Sequence, residues 1–158
     1  MSTLPQLLEE DIAAIDVSLR ALLRKSEATT AFVIDRGGFL ITKQGDDEVA
    51  DLTTLAALCS NTYAASQMIA ELIEEENFSS VYQQGDSNSI IVVNVDEYSL
   101  LVIVFPASVS VGAVKYFTPV ATKKIALQMK LAHERDPEGG LDLSVLNMAD
   151  TSSLFASK

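Results

Sequence analysis

Chemistry on a substrate needs side chains that can move a proton, attack a bond or ligate a metal, and this chain holds few of them. It carries one histidine, His133, and one cysteine, Cys59, in 158 residues. A single Cys excludes an internal disulfide and a multi-cysteine zinc site, and a single His excludes paired-imidazole metal ligation. His133 stands among Lys130, Glu134 and Arg135. That is the cationic end of a helix, where the macrodipole favours positive charge. Cys59 falls mid-helix on an apolar stripe and reads first as a small hydrophobe of the core. Asp35 and Asp96 each end an apolar run and read as turn formers. Glu74 to Glu76 read as a solvated helix end. The chain has no P-loop, no dinucleotide-binding glycine fingerprint, no nucleophile elbow and no paired-histidine zinc helix. The expectation is a protein that binds rather than catalyses, with no cofactor and no metal.

Composition narrows what it could bind. Hydrophobic residues make up 48%, the content of a globular chain. Eleven Lys and Arg against 22 Asp and Glu give a net charge of −11. Nucleic acid and anionic membranes would repel such a surface. The first ten residues lack a basic segment followed by an apolar run, and no apolar run approaches the ~20 residues that span a bilayer. These features predict a soluble, acidic, cytoplasmic protein: one domain over 1–135 and an acidic tail over 136–158.

The elements follow from periodicity. Leu8, Ile12, Ile15, Leu19 and Leu22 recur at spacings of four and three, predicting an amphipathic helix from about Pro5 to Lys25. Pro5 fits its first turn, where a missing N–H costs nothing. Thr29–Asp35 and Phe39–Lys43 are β-branched runs joined through Gly37-Gly38, a hairpin. A long second helix is expected from Asp51 to about Glu76, with Asp51, Thr53 or Thr54 as its cap. Ser79–Gly85, Ser89–Val95 and Ser99–Phe105 read as three strands. The last two are nearly continuous apolar runs, as interior strands are, and the first is polar enough for an edge. In Val109–His133 a helical stripe (Val114, Phe117, Ala121, Ile125, Met129, Ala132) collides with Pro119. Either a helix from about Ser110 is kinked at the proline, or Thr118 caps a shorter helix with Pro119 in its first turn and residues 109–117 are extended. The order α-β-β-α-β-β-β-α predicts an α/β (α+β) domain, a five-stranded antiparallel sheet with helices on both faces.

The second helix carries the most informative pattern. Leu52, Leu55, Cys59 and Tyr63, then Ile69, Leu72 and Ile73, read as its core stripe. A second face holds Ala57, Ser60, Asn61, Ala64, Ala65 and Met68, all uncharged and mostly small. A face that met only water would carry Lys and Glu, so this one reads as a protein contact. The tail is too short to make a core. A disordered tail is its default reading, yet Asp150-Thr151-Ser152-Ser153 precede Leu154 and Phe155, as in a short docking helix over 150–156.

With FVIDRGGFLIT, DLTTLAALCSNTYAASQMIAELIEEENF and LLVIVFPASVSVGAVK in this order, the chain resembles the roadblock family related to dynein light chains. The similarity is greater to its bacterial MglB-type branch, and it covers almost the whole chain. The resemblance implies a homodimer with one continuous sheet and the two long helices packed together. It implies a small Ras-like GTPase of the MglA type as partner, held through Ala57, Ser60, Asn61, Ala64, Ala65 and Met68. It also implies accelerated GTP hydrolysis, in a setting of cell polarity or motility. Gln67 and Met68 depart from the glycines frequent in relatives. A tail like SSLFASK, with Leu154 and Phe155, implies a second contact that promotes nucleotide exchange. The second helix has no Arg or Lys from Asp51 through Asn77, so an arginine finger would have to be Arg36. Two alternatives stand beside this reading: a scaffold of the same fold that leaves hydrolysis unchanged, and a small-molecule sensor on a profilin-like domain.

Overall fold

A computed structural model describes residues 4–46 and 49–135. Its elements are α1 (Glu9–Ser26), β1 (Thr30–Asp35), β2 (Leu40–Gly45), α2 (Leu52–Leu72), β3 (Ser80–Gln84), β4 (Asn88–Asn94), β5 (Ser99–Pro106) and α3 (Val111–Arg135). The five strands form one antiparallel sheet in the order β2-β1-β5-β4-β3. The expected fold class and element order are those observed. β5, the most apolar run, lies at the centre, and the polar β3 lies at an edge.

Alternation along the strands divides the core in two. Ala31, Val33, Ile91, Leu101, Ile103 and Phe105 meet α1 and α3 on one face of the sheet. Phe32, Ile34, Val92, Leu100 and Val102 meet Ala56, Cys59 and Tyr63 of α2 on the other. Both faces of β5 are therefore covered, which its unbroken apolar sequence requires.

Two helix boundaries differ from expectation, each for a local reason. α1 starts at Glu9 and leaves Pro5 outside, because the Asp11 carboxylate accepts the Leu8 N–H at 2.8 Å and fixes the first turn there. Leu8 is consequently largely exposed, and Asp11 is fully buried in its place. α2 ends at Leu72 rather than near Glu76. Glu74 adopts a left-handed φ of 60°, and the Glu75 N–H donates to the Ala70 carbonyl at 2.8 Å, a Schellman termination. The two readings of residues 109–117 resolve in favour of a helix. α3 runs unbroken from Val111 with Pro119 inside it, and the Thr118 and Thr122 hydroxyls bond backwards to the Val114 and Pro119 carbonyls. The tail, with Leu154, Phe155 and the docking helix expected over 150–156, lies outside the described residues.

The β1–β2 turn is packed against α2. Gly38 has φ +91°, and a Cβ there would come within 2.9 Å of the Ala57 Cα and 3.2 Å of the Ser60 Cβ. Gly38→Ala is expected to destabilise the fold by about 2 kcal/mol, through left-handed strain and this clash together. A urea midpoint that falls at constant m-value would record it.

Candidate functional site

The outward face of α2 is built from a sequence that gives each side of the helix a different task. At about 100° per residue, Ala56, Cys59, Ser60, Tyr63, Ser66 and Ala70 share the inner side and are buried. Five of the six predicted contact residues are exposed on the other side: Ala57, Asn61, Ala64, Ala65 and Met68. Ser60 is the exception. It is 7% exposed, and its hydroxyl donates to the Arg36 carbonyl at 2.6 Å, so it belongs to the hairpin packing and not to the contact face.

The expected core stripe also needs correction at its C-terminal half. Leu52, Leu55, Cys59 and Tyr63 do face the sheet. Ile69, Leu72 and Ile73 are 53%, 84% and 62% exposed, joined by Leu58 at 56% and Met68 at 68%. The small Ser66 and Ala70 take the inward positions there, and the Ser66 hydroxyl donates to the Tyr63 carbonyl at 2.7 Å. Exposed apolar side chains gathered on one surface helix are an arrangement that a macromolecular partner can cover. Leu58 and the Ile69–Ile73 group are the residues that sequence reasoning missed. The signal was present: Leu58, Ala65, Met68 and Leu72 repeat at helical spacing opposite Cys59 and Tyr63. Within α2 the sole charged side chain is Glu71.

Asp51 caps the N-terminus, its carboxylate accepting the Thr54 N–H at 3.0 Å and the Thr54 hydroxyl at 2.7 Å. These bonds hold its carboxyl below the usual range. Further along, the Tyr63 hydroxyl donates to the Phe78 carbonyl at 3.1 Å and accepts from Gln67 Nε2 at 2.8 Å. Gln67 is thus turned inward, and of the two departures from the glycine pattern only Met68 adds bulk to the outer face.

Arg36 is folded back into the protein. Its Nε and Nη2 donate to the Asp96 carbonyl at 3.1 and 2.7 Å, and Nη2 also bonds the Asn94 side chain. The guanidinium sits 5.4 Å from the centre of the Tyr63 ring. It ties the β1–β2 turn to the β4–β5 turn and to α2. Asp35 and Asp96 are turn formers as expected: Asp35 accepts the Phe39 N–H, and Asp96 accepts the Tyr98 N–H and both the N–H and hydroxyl of Ser99. Burial pushes the Asp96 carboxyl above its ordinary value in spite of those bonds.

The remaining candidate groups have structural surroundings. Cys59 is buried against the sheet, and burial pushes its thiol up to about 11. His133 packs against the Tyr98 ring at 5.7 Å. Glu74, Glu75 and Glu76 are exposed past the end of α2. Among the described residues no group of three or more His, Cys, Asp or Glu is placed to hold a metal ion, and no helix is long and apolar enough to cross a membrane.

Known proteins place this architecture. No curated protein matches the chain. Among solved structures, an MglB with a tetrameric arrangement is 28% identical, with a TM-score of 0.77 over 84% of this chain and 99% of that one. The gliding protein MglB from Thermus thermophilus is 28% identical, with a TM-score of 0.74 over 82% and 98%. MglB from Myxococcus xanthus is 26% identical, with a TM-score of 0.74 over 80% and 96%. The Roadblock/LC7 domain family matches residues 15–105, from the middle of α1 to the end of β5. That span is more than half of the sequence, and it carries the hairpin, the long helix and the antiparallel sheet in the family's order: this chain belongs to the Roadblock/LC7 domain family.

Proposed function

We propose that this protein is a homodimeric regulator of a small Ras-like GTPase of the MglA type. Two copies join through the β3 edges and the α2 helices, and the paired helices receive the switch regions of the GTPase. The observation that carries the reading is the outer face of α2, apolar and nearly without charge, on a roadblock domain similar to MglB. Ala57, Asn61, Ala64, Ala65 and Met68 are its contact residues, with Leu58 and Leu72 beside them. The tail, through Leu154 and Phe155, makes a second contact with the GTPase and promotes nucleotide exchange.

Stimulation on this reading needs no residue inserted in trans. The activator works by binding the hydrolysis-competent arrangement of the switch regions more tightly than the others, and acceleration is limited by that difference in affinity. The uncharged helix and the internally bonded Arg36 support this mechanism over an arginine finger.

Arg36→Ala is therefore expected to leave acceleration within about threefold of the parent at saturation, whereas removal of a finger costs ~10³ or more. The same substitution should lower stability by about 1–2 kcal/mol, since the Asp96 carbonyl loses charge-assisted donors. The deciding experiment is single-turnover GTP hydrolysis by an MglA-type GTPase with this protein in excess. Acceleration establishes the activator. Tight binding at an unchanged rate would make the protein a scaffold, and absence of binding would overturn the proposal.

A further inference from the structure

The cations of this acidic chain are unevenly placed. Arg20, Arg24 and Lys25 stand in the last two turns of α1, and α3 adds four lysines and Arg135, so these two helices hold eight of the eleven. From Val111 through His133, α3 has no acid. The same helix carries a second exposed apolar surface, on the face of the sheet opposite α2. Tyr116, Val120, Leu127 and Leu131 are 76%, 52%, 57% and 47% exposed. At about 100° per residue they fall within about 60° of one another, opposite the buried Val114, Ile125 and Met129. Lys123 and Lys130 flank this ridge on one side and Lys124 on the other, all three exposed. Lys123 and Lys124 form no ion pair among the described residues, and Lys130 reaches Glu134 at 4.0 Å.

Shape and charge together point to the occupant. The ridge is convex. The cleft beside it, between α1 and α3, has a volume of about 30 Å³ and is lined by Lys25, Phe117, Val120 and Lys124 among others. That is room for a water molecule and not for the side chain of a partner. Every cation that flanks the ridge is a lysine. Protein interfaces favour arginine, whose planar fork fixes a carboxylate, and are depleted in lysine. A lysine instead lays its stem along apolar surface and lifts its ammonium to phosphates at varied positions. Tyr116 adds an amphipathic ring of the kind that sits at the boundary between water and lipid. A convex apolar ridge with lysines on both flanks is the form of a helix that lies in the interfacial plane of an anionic bilayer. The net charge of −11 predicts repulsion from such a membrane, but it is a sum over the chain. Glu71 and Glu74 to Glu76 belong to the α2 side of the sheet. Helices are ~10 Å across, so these acids stand farther from the ridge than the Debye length of ~8 Å.

We propose that the Tyr116–Leu131 ridge, with Lys123, Lys124 and Lys130, is a peripheral docking surface for an anionic lipid bilayer. The four apolar side chains enter the headgroup region and the ammonium groups meet lipid phosphates, with no segment crossing the membrane. α2 then faces away from the bilayer. Docking is independent of the reading of α2 as a GTPase contact. In a dimer joined through β3 edges with both α2 helices on one face, the two ridges share the other face, and the second engages at high effective concentration.

Vesicle sedimentation with the full chain and no GTPase tests it, so its outcome is separate from that of the hydrolysis assay. The probes are vesicles of phosphatidylcholine alone and of phosphatidylcholine mixed equally with phosphatidylglycerol. The parent is expected to bind the mixed vesicles at least about tenfold more tightly than the neutral ones, and to be released by salt. Lys123→Gln with Lys124→Gln, and separately Leu127→Ser with Leu131→Ser, should each weaken binding to the mixed vesicles at least about tenfold. Thr53→Glu with Ser87→Glu is the control. It makes the same change in net charge as the lysine pair, at exposed positions away from α3, and should bind as the parent does. Every substituted side chain is exposed, so all the variants are expected to melt as the parent does. No binding to the mixed vesicles would overturn the proposal and leave the ridge to an acidic protein partner. Unchanged binding by either ridge variant would overturn it by placing the lipid contact elsewhere. An equal loss in the control would overturn it as well, since net charge and not the ridge would then govern binding.

Discussion

Ala64→Arg is expected to abolish both GTPase binding and acceleration of hydrolysis while the domain melts as the parent does. Ala64 is exposed on α2, so the variant side chain meets no protein atoms in the folded chain and the core is untouched. In the proposed complex it is covered by the GTPase, and the guanidinium would lose water on a helix that offers no acid nearby except Glu71. Burying an unpaired charge costs on the order of 3 kcal/mol or more at an interface, about a hundredfold in affinity. Equilibrium binding and single-turnover hydrolysis both read this out. Sedimentation of the variant alone separates loss of the GTPase contact from loss of self-association. Unchanged affinity would place the contact elsewhere on the molecule.

Removal of the Asp11 carboxylate should lower the stability of the fold, and its pH dependence identifies the cause. Asp11 is completely buried. It accepts two bonds from Arg135, one from Gln128 Nε2 at 2.6 Å and one from the Leu8 N–H. Chiefly the Arg135 bonds, against the opposing effect of burial, hold its carboxyl down to about 2. In the unfolded chain the group titrates near 3.9. A carboxylate whose folded value is depressed stabilises the fold above the unfolded value, and the contribution is lost as pH falls towards the folded one. Asp11→Asn should therefore cost about 2 kcal/mol at pH 7, with the gap between parent and variant closing from about pH 5 down to about pH 2. Urea midpoints measured across that range decide it. A gap that stayed constant with pH would mean that packing, and not charge, is the cause. Arg135→Ala should raise the Asp11 value and remove part of the same gap. It would also loosen the point from which the tail departs.

Much of the architecture was legible because it depends on neighbours along the chain. The glycine pair between two β-branched runs marks a hairpin, and the observed turn uses Gly38 at positive φ. The continuous apolar run of β5 can exist only where both faces are covered, and it is central. The polar β3 could tolerate an edge and occupies one. The mostly uncharged, small-residue side of α2 was visible in the sequence, and it is exposed in the structure except at Ser60. What failed were choices between positions that look alike in one dimension. Ile69, Leu72 and Ile73 are as hydrophobic as Leu52 and Leu55, yet they face outward. Ser60 resembles Ala57 in size, yet it serves the hairpin.

By itself the sequence determined the element order, the antiparallel sheet, the poverty in catalytic groups and the helix that presents a surface. Periodicity, turn chemistry and composition are properties of short stretches, so no knowledge of distant contacts was needed. Only the tertiary structure decided which apolar residues of α2 stay exposed, because that depends on how the helix is turned on the sheet. It also decided that Arg36 is spent on the Asp96 carbonyl, Asn94 and Tyr63, residues 27 to 60 positions away in sequence. And it decided that Asp11, an acid in the first turn of α1, is the buried anchor of Arg135 at the far end of the described residues. Each of those outcomes is set by pairings between remote residues, and a linear pattern carries no record of them.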